Sequence, residues 1–159
     1  MQPTLLAIHT FLIKDHKTLA VAESCTGGLV SSLFTSLSGS SRYFLAGIVS
    51  YSDKAKENLL GIPRALIKNY GAVSEKTARR MALAVRKITK ADFGIAITGI
   101  AGPTGATPGK PIGTVFIALC SREKIICAQF AFSGTRPQIR KKTAAKTLSL
   151  FKKFLTINQ

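Results

Sequence analysis

Apolar residues Leu5, Leu6, Ile8, Leu12 and Ile13 recur at helical spacing and predict an opening helix over residues 4–14 with one apolar stripe. The run TLAVAES (18–24) is short, apolar and closed by polar residues, as a buried strand is. Thr26 then suits the N-cap of a helix over GGLVSSLFTSL, with Leu29, Val30, Leu33, Phe34 and Leu37 on its inner face and SGSS stopping it. YFLAGIVSYS (43–52), aromatic and β-branched, reads as the next strand. Asp53 is placed to cap the short helix KAKENLL, which Gly61 ends. PRALIKNYG adds a turn or two with Pro63 at its helical start. Ser74 with Thr77 opens what is expected to be the longest helix, running to about residue 89. DFGIAITGIAG (92–102) is a strand running into a glycine-rich loop, and GTVFIALC and KIICAQFAFSG form a hairpin across SREK. A last helix begins near Arg136 or Pro137 and carries Ile139, Leu148, Leu150 and Phe154.

Helices alternating with strands predict an α/β fold, a single three-layer α/β/α domain over residues 1–159. The hairpin makes its sheet mixed, though mostly parallel. Polar, glycine-containing segments follow the strands at 18–24, 43–52 and 92–98, and the carboxyl ends of strands are where open α/β sheets bind ligands.

Composition narrows the function classes. The hydrophobic fraction of 46% in 159 residues is enough for one buried core, and no apolar run reaches the roughly 20 residues of a bilayer span. The N-terminus lacks the basic start and cleavage site of a signal peptide, so a cytoplasmic protein is expected, with no membrane partner. Three cysteines without a CxxC pair, and only two histidines, leave no disulfide framework and no zinc site. His9 and His16 both lie in the first helical segment, so a Ser-His-Asp triad would have to recruit one of them. The net charge of +16 raises nucleic acid as a partner. The cations are nevertheless spread along helices without interleaved aromatics to stack bases, which favours solvated faces over a nucleic-acid surface.

The strand-end segments carry the chemistry. In AESCTGG, Ser24 and Cys25 are adjacent potential nucleophiles at a strand-to-helix turn, and Gly27 and Gly28 leave room for a ligand's close approach. The same pattern fits a catalytic elbow, a phosphate cradle at a helix N-terminus, or a plain capped turn. In SYSDKAK, Lys56 falls in the first turn of a helix, where the positive end of the dipole favours the neutral amine that a Ser-Lys pair needs. An exposed helical lysine is the competing reading, and it is the one adopted for Lys54. Tyr51 ends the strand, where it can relay a proton or hold a substrate. TGIAGPTGATPGKPIG (98–113) holds five glycines and three prolines and reads as a ligand loop or a long surface hairpin, being neither a Walker A nor a clean G-x-G-x-x-G motif. Arg136, at the start of the last helix, offers a fork for phosphate or carboxylate.

In order and combination, AESCTGG, YSDKAKENLLGI, GAVSEKTARRMA, ITGIAGPTG followed by GTVFIAL, and GTRPQIR resemble the CinA C-terminal domain family, also known as PncC or nicotinamide-nucleotide amidohydrolase. The resemblance covers roughly residues 4–155. It implies hydrolysis of the carboxamide of nicotinamide mononucleotide to nicotinic acid mononucleotide and ammonia, with no metal or other cofactor. It implies Ser24 as nucleophile with Lys56 and Tyr51 as partners, and it carries Thr98, Gly99 and Gly102 onto the site loop and Arg136 and Arg140 onto a substrate-binding arginine pair. The N–H groups of Thr26 and Gly27 are the expected oxyanion donors. Glu23 is expected either to attend the cationic pyridinium or to orient a neighbour. The family commonly reads Y-S-N where this chain has Tyr51-Ser52-Asp53, which adds a charge near Lys56. Larger CinA proteins carry an N-terminal domain resembling molybdopterin-binding proteins, for which this chain has no room, so that domain's activity does not transfer. A homodimer is expected, with its sites either complete in each chain or completed by the partner. The rival classes are a non-catalytic nucleotide-binding module and a competence- or DNA-damage-associated module.

Overall fold

The computed structural model describes residues 1–157. In chain order the elements are α1 (Gln2–Lys14), β1 (Leu19–Glu23), α2 (Leu29–Thr35), a 3-10 turn (Ser40–Arg42), β2 (Phe44–Val49), α3 (Asp53–Leu60), α4 (Arg64–Tyr70), α5 (Glu75–Thr89), β3 (Phe93–Gly99), β4 (Thr114–Cys120), β5 (Ile125–Ala131) and α6 (Arg136–Ile157).

The central strands alternate large and small side chains, and this sets how helices approach each face of the sheet. Leu19, Val21, Ile95, Ile97, Ile117 and Leu119 point to one face and pack with α1, α2 and α6. Ala20, Ala22, Ala96 and Ala118 point to the other and pack against Ala78, Met81, Ala82 and Val85 of α5. The small face lets α5 come close: a Cβ added to Gly94 would lie 2.3 Å from the Ala82 carbonyl oxygen. On the opposite face, Phe93 meets Phe151 at 5.6 Å and Phe34 meets Phe151 at 6.1 Å, both edge-to-face. Fully burying such rings contributes about 1.5–3 kcal/mol each. Here it also docks α6 so that its first turn reaches the sheet's active edge.

The strand order is β2-β1-β3-β4-β5. β1 pairs in parallel with both β2 and β3, while β4 is antiparallel to β3 and to β5, so four strands share one direction and β4 alone reverses it. The expected mixed α/β sheet and its hairpin are thus present. From β1 the chain crosses to β2 on one side and then returns past β1 to β3 on the other. Right-handed crossovers require these two connections to lie on opposite faces, as α2 and α3–α5 do. The reversal puts a crevice at the carboxyl ends of β1 and β3.

Local details depart from the expected pattern at four points. α2 begins at Leu29 with Gly28 as N-cap in the left-handed conformation, so Thr26 lies in the preceding turn and caps nothing. Ser52, not Asp53, caps α3, its hydroxyl accepting from the Ala55 N–H at 3.0 Å; Asp53 is the first helical residue. Pro63 precedes α4 as its N-cap. The longest helix is α6 with 22 residues, against 15 for α5, because α6 runs the length of the large-residue face. Among the described residues, no helix is long and apolar enough to cross a membrane.

Candidate active site

The turn after β1 is built around a buried carboxylate. Glu23 is the last residue of β1 and has no exposed surface. Its oxygens accept from the N–H groups of Gly28 (3.1 Å), Val30 (3.1 Å) and Ser31 (2.8 Å) and from the Ser31 hydroxyl (2.6 Å). Gly28 has no side chain with which to cap α2, and Glu23 supplies the acceptors that the helix N-terminus otherwise lacks, with the dipole favouring its charge. Of the two roles expected for Glu23, orienting a neighbour is the one its geometry fits. It does not line the cavity described below, so it is not placed to touch a substrate's ring.

Ser24 follows directly. Its N–H continues the β1–β3 ladder onto the Ile97 carbonyl at 3.0 Å, and its carbonyl accepts from the Gly27 N–H at 3.1 Å, closing a turn that Gly27 (φ 57°) and Gly28 (φ 92°) complete. Lys56 of α3 reaches back under this turn. Its Nζ lies 3.3 Å from Ser24 Oγ, 3.0 Å from the Ser50 carbonyl oxygen and 3.4 Å from that of Tyr51. The side chain is 1% exposed and has no carboxylate within ion-pair distance among the described residues. Burial pushes the Lys56 pKa below the ordinary lysine value, with Asp53 and then Cys25 pulling weakly the other way. Lys54, by contrast, is exposed.

Cys25 lines the same cavity as Ser24. Burial pushes its thiol up to about 12, so it stays protonated near neutral pH, and the thiolate is the reactive form. Cys25→Ala is therefore expected to keep activity within about threefold of the parent, and alkylation of the native protein to leave activity intact. Rapid inactivation by iodoacetamide, absent in Cys25→Ala, would reverse the assignment. No histidine lines the cavity; His9 lies against Tyr43, Nδ1 to Oη 3.3 Å.

The remaining expected residues divide. Thr98 is buried, donates from Oγ1 to the Ala72 carbonyl at 2.8 Å, and ties the end of β3 to the segment before α5. Thr98, Gly99 and Gly102 all line a cavity of about 270 Å³ that also takes in Ser24, Lys56 and Arg136. Arg136 donates to the Gly102 carbonyl at 2.8 Å and to the Tyr51 hydroxyl, joining the glycine loop, the end of β2 and the start of α6. Arg140 lies outside the cavity lining; its Nε and Nη2 both donate to the Thr26 carbonyl, at 3.2 and 2.6 Å, so it braces the turn after β1. Gly27's N–H is taken by the Ser24 carbonyl and is not free for an oxyanion. The Thr26 N–H has no acceptor among the described residues, and the Cys25 N–H has only its own thiol beside it.

Four contributors escaped the sequence reading in whole or in part. The Ser50 carbonyl that steers Lys56 is backbone and leaves no residue signature. Ala72 and Val73 line the cavity with no chemistry of their own. Asp53, read as a cap and as a charge near Lys56 but not as a site residue, lines the cavity as well.

The CinA C-terminal domain profile matches residues 2–155. The chain belongs to the CinA C-terminal domain family. A CinA-like protein of Syntrophus aciditrophicus is 47% identical over 150 residues, which is 94% of this chain and 36% of that protein. A CinA-like protein of Thermotoga maritima is 46% identical over 145 residues, 91% of this chain and 35% of that protein. The chain thus spans about a third of the length of the curated relatives it matches. Among solved structures, the competence/damage inducible protein CihA of Agrobacterium tumefaciens superposes with a TM-score of 0.92 at 33% identity, covering 99% of this chain and 94% of that one. A CinA superfamily protein of Escherichia coli gives 0.90 at 33% identity, covering 94% and 87%. The CinA fold in these relatives therefore extends over essentially the whole α/β sheet that positions Ser24 and Lys56.

Proposed function

We propose that this chain hydrolyses the carboxamide of nicotinamide mononucleotide, releasing ammonia and nicotinic acid mononucleotide, with Ser24 as nucleophile and Lys56 as general base. The observation that carries the reading is the setting of Lys56 Nζ, buried and 3.3 Å from Ser24 Oγ. A neutral amine has two hydrogens and one lone pair. The Ser50 and Tyr51 carbonyls accept the hydrogens, which leaves the lone pair for the Ser24 proton.

In this mechanism Ser24 Oγ attacks the amide carbon as its proton passes to Lys56, and the carbonyl π pair moves onto oxygen. The Thr26 N–H, with that of Cys25, stabilises the oxyanion. Collapse expels the amine, which takes the proton from the Lys56 ammonium and leaves as ammonia. Water then attacks the acyl-serine while Lys56 accepts its proton, and Ser24 departs with that proton restored. Tyr51 and Arg136 border the same cavity, and the Gly99–Gly102 loop with Arg136 receives the phosphate.

Incubating the purified chain with nicotinamide mononucleotide and measuring ammonia tests the proposal. Release above that of Ser24→Ala supports it, and release no greater than that variant's overturns it.

A further inference from the structure

Besides the amine of Lys56, which is neutral in its reactive form, the cavity has one cation and one anionic point. Lys56 and Arg136 line it, and Asp53 is its single carboxylate. Glu23 and its charge are consumed within the α2 cap. Asp53 is exposed, sits at the first position of α3, and forms no salt bridge among the described residues. The protein as a whole carries 23 basic and 7 acidic residues, so its field attracts phosphate and repels a cation everywhere except beside such a carboxylate.

The substrate of the proposed reaction is a zwitterion, a phosphate at one end and a quaternary pyridinium at the other. We infer that Asp53 is a specificity residue that holds the positively charged ring, orienting the nucleotide with its phosphate toward Arg136 and selecting the cationic pyridinium over a neutral ring. This rests on the reading of the site as a nicotinamide-nucleotide amidase. Asp53 shares the cavity lining with Lys56 from its own helix and Arg136 from α6, and it also borders a neighbouring hollow lined by Lys54, Glu57, Arg64 and Lys68. None of the basic groups can take over its role.

The test uses two forms of one ligand that differ in ring charge. KM for nicotinamide mononucleotide and Ki for its dihydropyridine form, which is neutral at the ring, are measured on the parent, Asp53→Asn and Asp53→Glu. Asparagine keeps the size and the helix-starting preference of aspartate, so the fold is kept, and an unchanged Ki reports an intact cavity. Expected for Asp53→Asn is a KM roughly three- to fivefold higher, the upper worth of one exposed charge pair, with Ki moving less than twofold. Asp53→Glu is expected to recover most of the difference. Removing Asp53 also alters the field at Lys56, but that changes kcat for any amide and leaves the ratio of KM to Ki alone. Parallel movement of KM and Ki, or movement of neither, would falsify the assignment while leaving the amidase reading in place. Absence of turnover in the parent strikes the amidase reading itself.

Discussion

Lys56→Met is expected to lower kcat for amide hydrolysis by about 10³–10⁴-fold with little change in KM, as loss of a positioned general base does. Ser24→Ala is expected to fall as far, and the double variant no more than about tenfold further, because the two groups act as one unit. Steady-state kinetics with ammonia detection checks all three. The companion expectation is a pH profile. Only the free amine accepts the Ser24 proton, so kcat/KM rises with pH up to the Lys56 pKa in the folded protein, which burial holds below the usual lysine range. The rising limb therefore levels off before pH 10.5, the ordinary lysine value. A profile flat from acid to alkaline pH would remove Lys56 from the proton path.

The same shift has a stability consequence of opposite sense to the usual ion pair. The folded-state pKa lies below the unfolded one, so between the two the unfolded chain binds more protons and stability rises with pH. Below the folded-state value the cost of burying the ammonium is present in full. Methionine fills the same space without that cost, so at neutral pH Lys56→Met should melt no lower than the parent while being inactive. An inactive variant with unchanged Tm separates a chemical role from a structural one.

The legible parts of the fold were those in which side chains speak for themselves. The alternation Leu19-Ala20-Val21-Ala22 needs no tertiary information to be a buried strand, and neither does the hairpin across SREK. Ser24 and Lys56 stood out by their strand-end placement, and the structure brings Oγ and Nζ to 3.3 Å; the local pattern by itself left Ser24 as nucleophile or turn residue and Lys56 as buried or exposed, and the family resemblance singled them out. Roles that depend on direction were not legible. Arg136 and Arg140 are one turn apart on α6, yet one faces the glycine loop and the other the back of the Ser24 turn. Their sequence spacing is compatible with both facing a phosphate. Gly27 likewise offers an N–H in the right place by sequence, and only the fold shows it closing the turn onto Ser24.

Glu23 is the sharpest instance, and it carries the largest expected effect on stability. Substitution by alanine leaves the N–H groups of Gly28, Val30 and Ser31 and the Ser31 hydroxyl without their acceptor. Each orphaned buried group costs about 1–3 kcal/mol, but some re-pair with water, and a loss of about 3–5 kcal/mol is expected. That is a large share of the ~5–15 kcal/mol that holds a domain together, and it lowers Tm by roughly 10–15 °C. Glu23→Gln keeps the shape but turns an NH₂ group toward N–H donors, and an intermediate loss of about 1–3 kcal/mol is expected. Thermal and urea melts measure both. Activity should fall mainly in kcat, because the turn that aims Ser24 at Lys56 loosens while the cavity wall is untouched. Were Glu23 instead a substrate contact, Glu23→Gln would raise KM and leave the melting curve where it was.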